Sequence, residues 1–160
     1  MSQQLSTKVA AVIHGRFLNL FPGGKPTAES ILGLPPETLR SIGLSNAKVS
    51  YVQNVARFHL EKGMHPKLLA SMSDEDVIAY LTEIKGVGRW TVEMLLMFAL
   101  KREDVFPADD LGIQQAMTRL YALDPADKKK LKQDMQRIAA KWSPYRTYAS
   151  MHLWNWKDGK

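Results

Sequence analysis

The 160-residue chain contains no cysteine. This absence excludes a disulfide framework, a thiolate nucleophile, a cysteine-ligated zinc site and an iron–sulfur cluster. The four histidines, His14, His59, His65 and His152, are scattered without the spacing of metal ligands. We therefore expect no transition-metal site, and any chemistry has to come from other side chains.

Long apolar runs are also missing. The longest covers residues 94–100, whereas a membrane span needs roughly 20 apolar residues. The N-terminal segment is largely polar and lacks the basic-then-apolar layout of a signal peptide. These absences favour a cytoplasmic location, or association with the nucleoid in a bacterium, and no membrane partner.

No stretch of the chain alternates apolar and polar residues for long enough to favour a strand. Apolar residues instead recur every three or four positions, which is the period of a helix with one buried face. We predict an all-α fold with roughly nine or ten helices, in one compact unit or in two small lobes. The predicted helices cover residues 4–20, 28–32, 36–43, 47–62, 75–83, 89–100, 111–121, 128–141 and 145–156.

Acidic residues are outnumbered, with 16 Asp and Glu against 22 Lys and Arg, which gives a net charge of +6. A basic chain of this kind suits a polyanionic partner such as nucleic acid. One basic group brackets a short region and consists of Lys85, Arg89, Lys101 and Arg102. A second group on a predicted helix, Lys128, Lys129, Lys130 and Lys132, is interpreted as a solvated face.

Two glycines, Gly86 and Gly88, flank a single apolar residue in the segment Ile-Lys-Gly-Val-Gly-Arg-Trp-Thr-Val of residues 84–92. This pattern allows a tight turn between two helices. It also leaves the first-turn amides of the second helix unscreened by side chains, and such N–H groups bind anions. The segment is therefore predicted to be a hairpin that holds a DNA phosphate.

Three neighbouring side chains complete this interpretation. Val87 is expected to point inward and pin the hairpin, while Lys85 and Arg89 add positive charge near the bound strand. The competing interpretation is a helix-loop-helix whose glycines only cap the helices. The preceding Leu-x-x-Ile and the following Arg-Trp-Thr favour the DNA-binding hairpin.

A pair of aspartates, Asp109 and Asp110, lies between Pro107 and the helix predicted from residue 111. Proline disfavours helix just before it, so either aspartate can cap the helix that follows. A carboxylate at this place can also be catalytic. From these residues alone capping is the commoner role, and the hairpin upstream favours catalysis.

Taken together, four motifs resemble the helix-hairpin-helix superfamily of DNA glycosylases, and within it the DNA-3-methyladenine glycosylase II branch, which excises alkylated bases. They span nearly the whole chain in the family's order. The motifs are Gln3-Gln4-Leu5-Ser6, residues 84–91, residues 105–110, and residues 142–146 with Trp154.

The resemblance implies a monofunctional glycosylase of base excision repair, built around a DNA-binding cleft. It would flip out bases of the 3-methyladenine and 7-methylguanine type from double-stranded DNA and hydrolyse the N-glycosidic bond. Positive charge builds on the sugar as the base leaves, and a fixed carboxylate stabilises that charge. The resemblance gives this catalytic role to Asp110 and leaves Asp109 as a neighbour or cap.

The resemblance also implies the remaining site residues. The base pocket is expected to contain Trp90, Met94 and Trp154, and Gln4, with Gln3 beside it, would fill the gap left by the flipped base. Family members that also cut the strand have a lysine at the position of Trp90, so no AP-lyase activity is expected. The expected DNA contacts are Gln3, Gln4, Lys85, Gly86, Val87, Gly88, Arg89 and Thr91.

No cofactor is expected to be required. The resemblance allows a structural Na⁺ or K⁺ ion at the hairpin, held by the backbone carbonyls of Thr82, Ile84 and Val87. Larger relatives carry a further N-terminal part, so residues 1–160 are interpreted as one glycosylase domain that is either minimal or lacks that part. A monomer is expected, and self-association is the alternative if that part is truly absent.

Two other functions compete with this interpretation. The first is a non-catalytic helix-hairpin-helix module that binds DNA without turnover, and Asp110, Trp90 and Trp154 argue against it because binding needs none of them. The second is a mismatch or oxidised-base glycosylase, which the missing lysine and the missing cluster cysteines disfavour.

Overall fold

The computed structural model of the chain describes the backbone of residues 7–159 and the side chains of residues 9–159. Within these residues it contains ten α-helices and no strand, which confirms the predicted all-α fold. Two short 3₁₀ helices, Pro22–Gly24 and Ala140–Trp142, accompany them. The α-helices are α1 (Thr7–Leu18), α2 (Ala28–Leu32), α3 (Pro36–Ser41), α4 (Asn46–Lys62), α5 (Pro66–Ser71), α6 (Asp74–Thr82), α7 (Arg89–Phe98), α8 (Leu111–Tyr121), α9 (Lys128–Ala139) and α10 (Arg146–Lys157).

Several helix starts follow from capping side chains. Thr27 and Ser30 form a reciprocal capping box at α2, and Ser45 accepts the amide of Lys48 at α4. At α9, Asp127 accepts the amides of the first turn. Because these short polar side chains satisfy amides that have no intrahelical partner, they set the starts predicted near residues 28, 47 and 128.

One helix is missing from the prediction, and α1, α3, α7 and α9 each end two residues earlier than predicted. Helix α5 was not predicted, because it is too short to establish an apolar period and neither a capping residue nor a second proline precedes Pro66. Helix α7 ends at Phe98 instead of residue 100. The chain leaves this helix through Lys101, whose φ of 57° is left-handed and stops the helical path.

The described helices fall into two compact units. The first comprises the described residues up to Leu68 together with Glu83–Val87, and in it α4 packs against α2 and α3, with Leu39 of α3 and Phe58 of α4 buried. The second comprises Leu69–Thr82 and Gly88–Lys160. No helix among residues 7–159 is both long and apolar enough to span a membrane.

The second unit contains the residues that matter most for function. Its core is formed by Ile113, Ala116, Met117, Leu131, Met135 and Leu153, which come from α8, α9 and α10. Helix α8 packs along α10, and α6 packs against α7. This packing determines which side chains meet at the N-terminal end of α8.

Candidate active site

The carboxylate of Asp110 is the centre of the candidate active site. Trp90 Nε1 donates a hydrogen bond to Asp110 Oδ2 at 2.8 Å, and Trp154 Nε1 donates to Oδ1 at 2.8 Å. The amide of Ile113 also donates to Oδ1, at 2.8 Å. Two indoles, from α7 and α10, therefore converge with the start of α8 on one carboxylate, which three donors hold in a fixed orientation.

Asp110 reaches this position because it is the N-cap residue of α8. Its backbone is extended, with φ −71° and ψ 122°, and its side chain turns back to the amide three residues on. The expectation that Asp109 could be the cap is therefore wrong. Capping and the proposed catalytic role do not compete here, because one carboxylate oxygen serves the cap while the other faces Trp90.

Asp109 lies in a different electrostatic environment. Its two oxygens accept hydrogen bonds from Lys132 Nζ at 2.7 and 2.8 Å, so its charge is offset by an ammonium group. By contrast, no basic side chain among residues 9–159 forms an ion pair with Asp110. The sequence suggested that the cluster containing Lys132 is a solvated helix face, whereas Lys132 itself is paired with Asp109.

An aromatic surface borders Asp110. Trp90, Met94 and Phe98 follow one another at intervals of four residues, so they lie on the same side of α7. Phe98 stacks on Trp154 with ring centroids 6.1 Å apart, although about half of its surface is exposed. Phe98 was missed in the sequence, where its spacing of four from Met94 and eight from Trp90 was the available signal.

The adjacent side of α7 carries a network of charges. Arg89 donates two hydrogen bonds to Glu75, at 2.5 and 3.0 Å, and a third to Glu93 at 3.0 Å. This pairing raises the pKa of Arg89, chiefly through its hydrogen bonds to Glu75, and lowers the pKa of Glu75. Arg89 was expected to add positive charge near the bound DNA strand, and in the structure two carboxylates offset that charge.

Glu93 is the most deeply buried charged side chain of this network, with 4% of its surface exposed. Burial raises its pKa, and only the hydrogen bond and charge of Arg89, with a smaller contribution from Lys132, oppose that effect. Its Oε2 atom has no hydrogen-bond partner among the described residues. On the charged side of α7, Arg89 and Glu75 are therefore paired at the surface, whereas the buried carboxylate of Glu93 is only partly paired.

Helix α10, which carries Trp154, is fastened at its start by Asp104. The guanidinium of Arg146 donates to both oxygens of Asp104, at 2.7 and 2.9 Å, and Ser143 Oγ donates at 2.8 Å. The hydrogen bonds from Arg146 lower the pKa of Asp104 to about 2. The hydroxyl of Thr147, the next residue of the helix, accepts the amide of Val105.

The hairpin turn between α6 and α7 is shaped by Gly86 and its surroundings in the first unit. Gly86 has a φ of 102°, and a Cβ atom there would overlap the ring of Tyr51. Asn54 Nδ2 donates to the carbonyl of Lys85 at 2.9 Å. Ile84 is the fully buried residue of the turn, whereas Val87, which was expected to point inward as the pin, is only partly buried.

Gly88 differs from Gly86 because the fold does not require a glycine there. Its φ of −95° and ψ of 166° are extended, and a Cβ atom would point into open space. The amides of Thr91 and Val92 donate to its carbonyl, so the amides that precede them lack an acceptor within α7. The missing side chain leaves these amides approachable, as the phosphate prediction needs.

The structure thus brings together Trp90, Trp154 and Asp110, with Met94 one helical turn after Trp90. Lys85 and Thr91 are exposed. The predicted wedge residues Gln3 and Gln4 lie outside the described residues. Of the three carbonyls predicted to bind a monovalent ion, that of Ile84 accepts a hydrogen bond from the amide of Val87 at 2.9 Å.

Residues 1–141 match the HhH-GPD superfamily of base excision DNA repair proteins. The chain belongs to this superfamily. The resemblance inferred from the four motifs is thereby confirmed, and with it the helix-hairpin-helix fold.

Similar proteins share an activity in their names. The chain is 39% identical over 155 residues to DNA-3-methyladenine glycosylase 1 of Schizosaccharomyces pombe, covering 96% of this chain and 67% of that protein. A structure of the S. pombe 3-methyladenine DNA glycosylase in complex with abasic DNA matches 96% of this chain and 74% of its own, with a TM-score of 0.85 and 36% identity. The crystal structure of a DNA-3-methyladenine glycosidase from Bacillus halodurans matches 98% and 70%, with a TM-score of 0.80 and 37% identity.

Other relatives are considerably longer than this chain. DNA-3-methyladenine glycosylase 2 of Escherichia coli is 28% identical over 156 residues, which cover 96% of this chain and 51% of that protein. The chain therefore spans about half the length of that relative.

Proposed function

We propose that this chain is an alkylbase DNA glycosylase, which releases bases of the 3-methyladenine and 7-methylguanine type from double-stranded DNA. The proposal rests on the activity named for its relatives and on one observation in the site. That observation is a carboxylate, Asp110, fixed by Trp90, Trp154 and Ile113 through neutral N–H donors alone.

The kind of donor matters for the chemistry. A carboxylate held by neutral N–H groups has no positive charge beside it, whereas the field of one paired with a lysine is offset by the ammonium group. As the N-glycosidic bond breaks, its electron pair goes to the departing base and neutralises the charge of the alkylated ring. The sugar becomes oxocarbenium-like, and the charge of Asp110 stabilises it.

Water completes the reaction. Its oxygen forms the new bond to the anomeric carbon, and the proton it loses passes to Asp110 or to solvent. Because an alkylated purine is already cationic, no acid is needed to protonate the leaving base. One carboxylate is then sufficient, which agrees with Asp109 being neutralised by Lys132.

The aromatic side chains around Asp110 are proposed to receive the flipped base. Trp90 and Phe98 are about half exposed and Trp154 is partly so, so their faces are available for stacking on a planar ring. Met94 adds a polarisable thioether on the same side of α7. An electron-rich aromatic surface also favours a cationic base over its neutral parent.

The hairpin is proposed to hold the DNA backbone. The approachable amides that begin at Gly88 would bind a phosphate with help from the helix dipole of α7. Lys85 and Thr91 are exposed and would add contacts that do not depend on sequence, while Arg89 is left out because it is paired. The wedge role of Gln3 and Gln4 stays a proposal drawn from the family.

Three finer statements belong to the same proposal. Strand cleavage is not expected, because the indole of Trp90 occupies the position of the lyase lysine and cannot form a Schiff base. A Na⁺ or K⁺ ion on the carbonyls of Thr82, Ile84 and Val87 would be structural and not part of the reaction. The protein would act as a monomer in the cytoplasm, or at the nucleoid in a bacterium.

A single assay tests the function and the absence of lyase activity. The chain is incubated with a duplex carrying one 7-methylguanine, and the products are analysed with and without alkali. We expect free 7-methylguanine, and strand breaks only after alkali. Breaks without alkali would contradict the lyase-free proposal.

The competing function is the non-catalytic DNA-binding module. It is favoured if the chain binds the same duplex, measured by fluorescence anisotropy, and releases no base over many hours. An unmethylated duplex of the same sequence is the control, since a glycosylase that recognises the lesion leaves it intact.

A further inference from the structure

Gly112, the second residue of α8, lies directly beside two groups of the candidate active site. A Cβ atom at this position would be 3.1 Å from Asp110 Oδ1. It would also be 3.1 Å from Cδ1 and 3.2 Å from Nε1 of the Trp154 indole. Asp110 and Trp154, which share a hydrogen bond, therefore both lie close to Gly112, a residue without a side chain.

The helical backbone gives no reason for this glycine. Gly112 lies within α8, a conformation that every L-residue except proline adopts easily. A glycine inside a helix even costs roughly 0.5–1 kcal/mol relative to alanine. It is the space around Gly112, and not its backbone angles, that requires the absence of a side chain.

Neither neighbour is free to move away from an added methyl group. Oδ1 of Asp110 is held by the amide of Ile113 as well as by Trp154. The indole of Trp154 stacks on Phe98 and packs against the apolar core of the second unit. A displacement of a few tenths of an ångström would therefore strain one of the two hydrogen bonds on Oδ1.

We propose that Gly112 is a positioning residue, whose missing side chain lets the Trp154 indole and the Ile113 amide converge on the same oxygen of Asp110. Its consequence for catalysis rests on the proposed function, while its consequence for geometry does not. The residue acts through Trp154 and does not touch the substrate itself.

The test compares Gly112→Ala with wild type in two measurements. Hydrogen exchange of the Trp154 indole N–H, followed by NMR and assigned with Trp154→Phe, reports the hydrogen bond directly. We expect several-fold faster exchange, with the indoles of Trp142 and Trp156 unchanged. Base release from the 7-methylguanine duplex is expected to fall about tenfold, while the thermal stability is unchanged or higher.

Gly15→Ala is the matched control. Gly15 is also a helical glycine, in α1, and a Cβ atom there meets nothing within 4 Å. It should leave both the exchange of the Trp154 indole and the base-release rate unchanged. An equal loss in both variants would overturn the proposal, because it would be a general effect of exchanging glycine for alanine.

A double-mutant cycle separates positioning through Trp154 from other effects. In the Trp154→Phe background the indole N–H is gone, so adding Gly112→Ala should cost little further activity. A full tenfold loss in that background, or unchanged indole exchange in the single variant, would overturn the proposal. If wild type releases no base, the proposed function fails and the exchange measurement alone decides on Gly112.

Discussion

The carboxylates bonded on the two sides of helix α7 have different kinds of partners. On the aromatic side, Trp90 donates to Asp110, a carboxylate whose described partners are all neutral. On the charged side, Arg89 is shared between Glu75 and Glu93. Both sides contain hydrogen-bonded carboxylates, so the number of hydrogen bonds does not distinguish them.

The charge of the partner does distinguish the two sides. A carboxylate bonded to a guanidinium or ammonium forms a nearly neutral pair, which stabilises the fold and has little field left for a substrate. A carboxylate bonded to indole and amide N–H groups is fixed in place and still fully charged. From this difference we propose that the aromatic side serves the reaction and the charged side serves the structure.

Among the changes that leave the carboxylate of Asp110 in place, the largest effect is expected from Trp90→Phe on the aromatic side. This change keeps an aromatic ring for stacking but removes the N–H that holds Oδ2 of Asp110. Single-turnover base release should fall about tenfold to a hundredfold, with a change in unfolding free energy below about 1 kcal/mol because Trp90 is 46% exposed.

Trp156→Phe is the matched control for this prediction. Trp156 is exposed to a similar extent, 48%, and lies near the end of α10. It should leave the rate unchanged. If both variants lose the same activity, the hydrogen bond of Trp90 is not what matters.

Asp104, a paired carboxylate near the start of α10, shows how much a single ion pair is expected to stabilise the fold. The pKa of Asp104 is lowered to about 2 by Arg146, so its stabilising effect is complete above its ordinary pKa and disappears as the pH falls towards 2. Asp104→Asn should therefore cost at most about 2 kcal/mol at pH 6. Urea denaturation at pH 6 and pH 2 should give a difference from wild type only at the higher pH.

Glu93 on the charged side of α7 should show the opposite pH dependence. Burial raises its pKa, so the protonated form is favoured in the folded state and wild type loses stability as the pH rises above the ordinary glutamate range. Glu93→Gln removes that ionisation. The melting temperature of the variant should gain on that of wild type between pH 4.5 and pH 7.5.

The base-release rate of Glu93→Gln completes this comparison. It should stay within about twofold of wild type, because Glu93 bonds Arg89 and not Asp110. A loss as large as that of Trp90→Phe would show that the two sides of α7 are not separate in function.

A small effect, on DNA binding alone, is expected from Gly88→Ala at the start of α7. Its methyl group would point into open space, so stability should not fall, but it would crowd the amides proposed to bind phosphate. Affinity for an undamaged duplex should weaken about threefold at low salt, measured by fluorescence anisotropy. Gly86→Ala should instead lower stability, because of its positive φ and the ring of Tyr51.

The helices and the hairpin could be predicted from the sequence because their signals are local. Apolar periods and capping residues such as Thr27, Ser45 and Asp127 lie within a few positions of the ends they set. The unpredicted α5 is the case in which this local signal is too short. The glycines of the hairpin were informative for the same reason, since a turn is a local feature.

The candidate site could be predicted only in part. The motifs assigned Trp90, Trp154 and Asp110 to one site through their family, but not their hydrogen bonds, because Asp110 and Trp154 are 44 residues apart. The pairing of Arg89 with Glu75, 14 residues away, was missed for the same reason. Gly112 could not be recognised either, since its importance lies in the space around it.

The most direct test of the central claim is the single-turnover base-release rate of Asp110→Asn beside that of Asp109→Asn. Asparagine remains a good N-cap, so the fold should persist in both variants. We expect Asp110→Asn to lose about 10²- to 10³-fold, whereas Asp109→Asn, which breaks only an exposed pair with Lys132, should change the rate by less than about threefold. Equal rates for the two variants, or a larger loss in Asp109→Asn, would contradict the claim that the neutrally bonded carboxylate carries out the reaction.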